Sequence, residues 1–216
     1  MNSIIAIPEV TKKRMLTLQN LLKSWSQEKI TSMQISEITG WNNSLIRHDL
    51  WLLRKFQSQL LEGNTVFENE TFGVSNGYYK HDLLNTITLA LGFKSSEINI
   101  CIAGLNRLGA ALLDEGTTEG SGFKIKAGFD SNVNRVEILR SSFPLYPATE
   151  MSWVIKKENI QLAILTVAAK DAQAMCDRLV KAGVTGIVNM TNSVLRVPEN
   201  VKIENLSILN SLKIIS

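Results

Sequence analysis

Gly104-Leu105-Asn106-Arg107-Leu108-Gly109 follows the apolar run Ile98 to Ala103 and leads into Ala110-Ala111-Leu112. The frame is G-x-N-x-x-G, one residue away from the G-x-G-x-x-G of a dinucleotide-binding turn. In such a turn the first glycine allows the sharp bend and the last lets helix and strand pack closely. The middle one keeps the backbone bare for a pyrophosphate. Unpaired N–H groups opening the helix then face the anion. Asn106 holds the middle position, and because Asn tolerates positive φ the turn is expected to form through it, with its carboxamide near the phosphate. Asp130 lies 21 residues beyond Gly109, at the end of the next apolar run. An acid there accepts the adenosine ribose hydroxyls and favours NAD over NADP.

A second group of residues suits a polyanion. Residues 1–60 hold eight Lys or Arg (Lys12, Lys13, Arg14, Lys23, Lys29, Arg47, Arg54, Lys55) against four acids (Glu9, Glu28, Glu37, Asp49). Each phosphate neutralised by such a base releases condensed counterions. Ser44, Arg47 and His48 are expected to face a major groove or its phosphates, with Asn43 on the backbone. Lys12, Arg14, Arg54 and Lys55 supply sequence-independent attraction. A plain structural role for Arg47, paired with Asp49 or Glu37, is the competing reading.

Other chemistry is poorly supplied. His48, His81, Cys101 and Cys176 have no metal-ligand spacing, so no metal is expected, and both thiols fall in apolar or helical runs that suit burial. A dehydrogenase needs a substrate domain with an acid/base group, and both histidines precede the turn described above. No enzyme is expected. No stretch approaches the length of a membrane span and no signal peptide is recognised, which points to the cytoplasm.

The elements that must position these residues follow from periodicity. Helices are expected after Pro8 to about Gln27, from a Ser32 cap to Ile38, and from a Ser44 cap through Leu45 to Phe56. Gly40 punctuates the last two in a helix-turn-helix pattern. Residues 61–80, with Gly63-Asn64, Asn69 and Asn76-Gly77, read as a β-hairpin wing, and His81 to Leu91 as a helix. From residue 97 strands and helices alternate: strand 98–103, helix 107–113, strand 123–129, helix 150–158, strand 161–167, helix 171–182, strand 186–190. Short strands at 194–197 and 201–204 come last. Leu206 to Ile215 is a helix with almost no polar face, suited to a partner subunit.

The fold class expected is therefore α/β plus α+β, with a winged helix-turn-helix domain (1–94), a Rossmann-like parallel-sheet domain (95–204) and a C-terminal dimerisation helix (205–216).

With these elements in place, the chain resembles the Rex family of redox-sensing transcriptional repressors over nearly its whole length. The matching residues are Ile7-Pro8, Thr11 and Arg14; Ile46-Arg47-His48-Asp49-Leu50; Gly77-Tyr78; Leu108-Gly109-Ala110-Ala111-Leu112; Ala127-Gly128-Phe129-Asp130; Ile164-Leu165-Thr166-Val167; Ala172-Gln173; and Gly186-Ile187-Val188-Asn189. The resemblance implies a homodimer that binds double-stranded operator DNA through paired winged helices and releases it when NADH occupies the Rossmann domains. It implies that the terminal helix exchanges between subunits. It also implies that Thr166, Val167, Ala168 and Asn189 join residues 104–109 and Asp130 at the NAD(H) site, and that Arg14, Tyr78 and Ser207 belong to an interdomain switch.

The chain departs from the family pattern at Asn106, at Ser131-Asn132 in place of a second acid, and at Ala168 in place of Pro. It departs again at Thr191-Asn192 in place of Ala-Pro, at Ser207 in place of Asp, and in a longer wing bearing Glu62, Glu68 and Glu70. Two further readings stand beside a redox-modulated repressor. One is a Rex-like DNA-binding protein that has lost or changed its ligand; the other is a non-catalytic adenine-nucleotide or CoA-binding module.

Overall fold

The computed structural model describes residues 6–61, 77–92, 97–114, 116, 118 and 121–216. The chain divides into two compact units, Met1–Lys94 and Ser95–Ser216.

The first unit is a winged helix-turn-helix. Helix α1 (Glu9–Ser24) starts behind Pro8, whose carbonyl accepts from Lys12 N–H at 2.9 Å. Thr11, Met15, Leu18 and Leu22 recur at helical spacing and are buried, which gives α1 one inward stripe. Strand β1 (Lys29–Ile30) leads into α2 (Ser32–Thr39). The cap of α2 is Thr31 rather than the expected Ser32. Its Oγ1 accepts from Gln34 N–H while Gln34 Oε1 accepts from Thr31 N–H, a reciprocal arrangement that Ser32 cannot make from inside the helix.

Helix α3 (Asn43–Leu61) begins earlier and ends later than periodicity suggested. Asn42, not Ser44, caps it by accepting from Ser44 N–H at 2.8 Å. Ile46, Leu50 and Leu53 face inward and join Ile30, Ile35, Leu83 and Ile87 in one apolar cluster. Strand β2 (Tyr78–Tyr79) pairs antiparallel with β1 and runs directly into α4 (Lys80–Ala90). The hairpin expected between α3 and β2, with Glu62, Glu68 and Glu70, lies outside the described residues.

The second unit is a six-stranded, wholly parallel sheet. Its strands are β3 (Ile98–Ala103), β4 (Phe123–Asp130), β5 (Leu145–Pro147), β6 (Leu162–Leu165), β7 (Gly186–Asn189) and β8 (Lys202–Asn205). They lie in the order β5-β4-β3-β6-β7-β8. Numbered within this unit the order is 3-2-1-4-5-6, the doubly wound Rossmann arrangement with its switch point between β3 and β6. Side chains of β3 alternate between two cores, as a strand covered on both faces requires. Cys101 and Ala103 pack with Met151, Val154 and Leu179, whereas Ile100 and Ile102 pack with Leu105, Leu113 and Ile125.

Helices α5 (Arg107–Ala111), α6 (Val133–Ile138), α7 (Met151–Lys157) and α8 (Ala172–Ala182) complete the layers, and α9 (Ile208–Ile215) closes the chain. Neither α6 nor β5 was expected. The first has six residues and starts among Asn132 and Asn134, which read as turn chemistry; the second is an edge strand ending in Pro147, a position where proline costs no ladder bond. Conversely, 194–197 is not a strand. Gln173 clamps it by donating from Nε2 to Arg196 O and accepting at Oε1 from Arg196 N–H, so a side chain takes the place of a neighbouring strand.

Candidate functional site

Two sites take shape, one in each unit. In the first, α3 turns Ser44, Arg47, His48, Arg54 and Lys55 outward, all exposed, while its other face is committed to the core. Lys12 is half-buried. Arg47 has no ion pair among the described residues. Asp49 is taken instead by Arg14, with Nε donating at 2.6 Å and Nη2 at 2.8 Å, and by the Thr11 hydroxyl at 3.1 Å. Asp49 is buried and Arg14 half-buried. The hydrogen bond to Asp49 lifts the Arg14 guanidinium above its ordinary pKa and outweighs the cost of burial. Arg14 is thus a half-buried brace between α1 and α3, with its charge directed at Asp49.

Sequence reasoning missed Trp51. It is 52% exposed on the same face, with the His48 ring 5.9 Å away and Lys55 Nζ 5.1 Å from its centroid. Its position four residues after Arg47 was the available signal. Asn43 presents a buried Oδ1 with no hydrogen-bond partner among the described residues.

The second site lies at the C-terminal ends of β3, β4 and β6. Gly104 follows β3 with φ +102°, and a Cβ there would lie 2.7 Å from Val167 N. Gly109 is tighter still: a Cβ would lie 1.9 Å from Gly104 O. Both positions require glycine, as the motif implied. Thr166 Oγ1 donates to Gly104 O at 2.6 Å and holds the turn against β6.

Asn106 behaves differently from expectation. Its φ is −69°, so no left-handed conformation is used, and its side chain caps α5. Oδ1 accepts from Leu108 N–H at 3.0 Å and Gly109 N–H at 3.1 Å, while Nδ2 donates to Thr166 O. The N–H groups that would face a pyrophosphate are already satisfied by the chain's own carboxamide. Asp130 is also engaged. It is buried, with Oδ2 accepting from Leu105 N–H at 2.7 Å, Oδ1 accepting from Asn132 N–H at 2.7 Å, and Arg135 Nη1 donating at 3.3 Å.

Beside this turn lies a cavity of about 430 Å³. Gly104, Asn106, Asp130, Val167 and Ala168 are among its walls, which unites five of the expected cofactor residues. Leu105 is buried in the apolar core and acts through its backbone N–H; Arg107 and Leu108 are exposed at the start of α5. Asn189 is buried, and its carboxamide is saturated by Thr191, Ser193 and Asn205. That leaves none of its polar atoms for a ligand, because it is spent tying β7 to β8 and the following loop. Arg135, Lys170 and Arg178, which sequence reasoning did not single out, also line the cavity.

Neither cysteine suits redox chemistry. Burial pushes the Cys101 thiol up to about 12, and burial followed by the Asp177 charge raises Cys176. Among the described residues no three His, Cys, Asp or Glu gather into a metal site, and no helix is long and apolar enough to cross a membrane. Tyr78 lies in β2 of the first unit, and Ser207 caps α9 in the second by accepting from Asn210 N–H at 3.3 Å.

Residues 95–193 match the CoA binding domain family. Over 210 residues the chain is 30% identical to the redox-sensing transcriptional repressor Rex of Limosilactobacillus reuteri (strain DSM 20016), which covers 96% of this chain and 91% of that one. The chain belongs to the Rex family. It also resembles the structure of RSP, a Rex-family repressor, in complex with beta-NAD+ and operator DNA. The TM-score is 0.81 at 27% identity, covering 98% of this Rex-family chain and 91% of the other. RSP in complex with beta-NADH gives 0.79 at 26%, covering 98% and 93%.

Proposed function

We propose that this Rex-family chain is a cytoplasmic transcriptional repressor that binds operator DNA as a homodimer, with NADH and NAD+ setting its affinity for that DNA. One observation carries the reading. A single chain carries an outward cationic helix-turn-helix face in one unit and a nucleotide-sized cavity at the switch point of a 3-2-1-4-5-6 sheet in the other, and over 98% of its length it resembles RSP, whose structures hold beta-NAD+ with operator DNA, or beta-NADH. Its role is regulatory and not enzymatic, in keeping with relatives that are repressors.

On DNA, Ser44, Arg47 and His48 meet base edges or phosphates, and Asn43 donates from its Nδ2 to the phosphate backbone. Lys12, Arg54 and Lys55 release counterions. Arg14 contributes by fixing α3 through Asp49. A ligand alters this grip only if it has different affinities for two dimer arrangements. Helix α9 supplies the dimer contact, since Ile208, Leu209, Leu212, Ile214 and Ile215 are between 53% and 84% exposed in the single chain. Arg14, Tyr78 and Ser207 carry the signal between the units.

The cofactor's chemistry in this setting is its redox state alone. Gly104, Val167 and Ala168 fit an adenine nucleotide, whereas the pyrophosphate seat is filled by Asn106. That single residue favours a second reading, a Rex-like DNA-binding protein whose ligand has weakened or changed. Duplexes selected by the full chain from a random pool, then titrated with NADH and NAD+ in a shift assay, separate the readings. Release by NADH supports redox control; DNA binding indifferent to both supports the second reading. Failure to select any duplex, with nucleotide binding retained, leaves an adenine-nucleotide or CoA-binding module.

A further inference from the structure

The outward stripe of α3 is polar or cationic except near its centre. Ser44, Arg47, His48, Trp51 and Lys55 recur at helical spacing, opposite the inward Ile46, Leu50 and Leu53. Trp51 is the central large side chain, 52% exposed. Trp25 and Trp41, the other indoles of this unit, are packed against its apolar core. Trp51 is given to the surface instead, where half of an indole forgoes the burial that makes the residue stabilising. The surroundings are cationic. Arg47, Arg54 and Lys55 are exposed and in no ion pair among the described residues, and Asp49, the acid of this helix, is turned inward to Arg14.

The ring is also held. The His48 ring lies 5.9 Å away, tilted by 35°, and Lys55 Nζ sits 5.1 Å from the indole centroid. A side chain placed in advance loses little freedom when it meets a partner. The flanking charges select a polyanion as that partner, and its phosphates are served by the cations without help from an indole. In a major groove most base-edge groups are hydrogen-bond donors or acceptors, which an apolar face would leave unpaired. The thymine 5-methyl is the apolar exception.

We infer that Trp51 is a specificity-determining residue that reads thymine, packing its indole face on a 5-methyl group in the major groove. Arg47 and His48 lie one turn before it and Lys55 one turn after, so the methyl contact falls in the middle of the stretch that α3 lays along the groove. The inference rests on α3 being the DNA-reading helix, as proposed above, and adds one base that the helix selects.

Deoxyuridine differs from thymidine by that methyl alone. In the test, each thymine of a duplex selected by the full chain is replaced in turn by deoxyuridine, with affinities measured by shift assay at one salt concentration. At one thymine or more the wild-type chain should bind about fourfold more weakly, the worth of one buried methyl. Trp51→Ala should show no methyl penalty at that thymine, so the two losses are not additive. Trp153→Ala, which removes an indole 58% exposed beside Lys157 in the other unit, should keep the penalty in full. Selection repeated with Trp51→Gln, whose carboxamide suits adenine, should lose the preference for thymine at the same position. Each ratio compares two duplexes on one protein, so a general fall in affinity cannot imitate the effect. A penalty undiminished in Trp51→Ala, a thymine preference retained by Trp51→Gln, or no penalty at any thymine in wild type overturns the inference while DNA binding stands. Failure of the wild-type chain to select any duplex removes both.

Discussion

Asp49 on α3 receives Arg14 of α1 through two N–H donors, at 2.6 and 2.8 Å, in a pocket where the carboxylate is almost wholly shielded from water. The contact fixes the outward helix against the body of the first unit, and it frees Arg47 from the ion pair that the sequence left open to it. Asp49→Ala leaves a half-buried guanidinium without its partner, which costs about 1–3 kcal/mol. Urea denaturation should show this as a lowered midpoint with unchanged slope. A midpoint within error of wild type would assign the stability of this helix pair to its apolar contacts alone.

Arg47 is the exposed cation closest to the start of α3, and its removal should act on DNA without touching the fold. Arg47→Ala is expected to weaken binding to a selected duplex by about 1–3 kcal/mol and to lower the salt slope by about one. Shift assays at several salt concentrations check both. Unchanged affinity and slope mean that α3 does not present this residue to the duplex.

Asn106→Gly tests the self-capped turn. Removing the carboxamide frees the Leu108 and Gly109 N–H groups, so the affinity for NADH should rise by about tenfold, while loss of the cap lowers stability by only about 0.3 kcal/mol, because glycine itself is tolerated at an N-cap. Calorimetric titration and thermal melting report the two effects separately. Equal NADH affinity in both proteins would show that Asn106 yields to the ligand without competing.

The buried thiol gives a signed pH effect. Folding raises the Cys101 pKa from an ordinary 9.0 to about 12. The unfolded chain therefore loses its proton first as pH rises. The contribution to stability is complete below about pH 9 and disappears progressively toward 12. Cys101→Ala should accordingly flatten the alkaline limb of the stability curve relative to wild type. Parallel curves in chemical denaturation would contradict the shift.

Long elements with one strong period were legible in the sequence. Strand β3 and the start of β4 fall where the apolar runs place them, and α8 ends at Gly183 as its glycine suggests. What escaped depends on contacts distant in sequence. Residues 194–197 look like a strand, but Gln173 takes the hydrogen bonds that a neighbouring strand would have supplied. At the cavity, the motif residues were readable because a tight turn dictates their types. The direction of Asp130 was not, since an acid at a strand end looks the same whether it faces a ribose or the N–H of Leu105. Arg135, Lys170 and Arg178 share no local pattern; only the crossing of chain segments at the sheet edge collects them.

The reversal of strand order between β3 and β6 has an evolutionary side. Because neighbouring strands there send their connections to opposite faces, the groove exists before any particular side chain fills it. Its cargo is then written in three short loops, after β3, β4 and β6, where residues other than Gly104 can change without disturbing the rungs of the sheet. A sensor built this way can drift from one metabolite to another while its scaffold stays the same, and Asn106 and Arg135 sit in the parts of the molecule where such drift is least expensive.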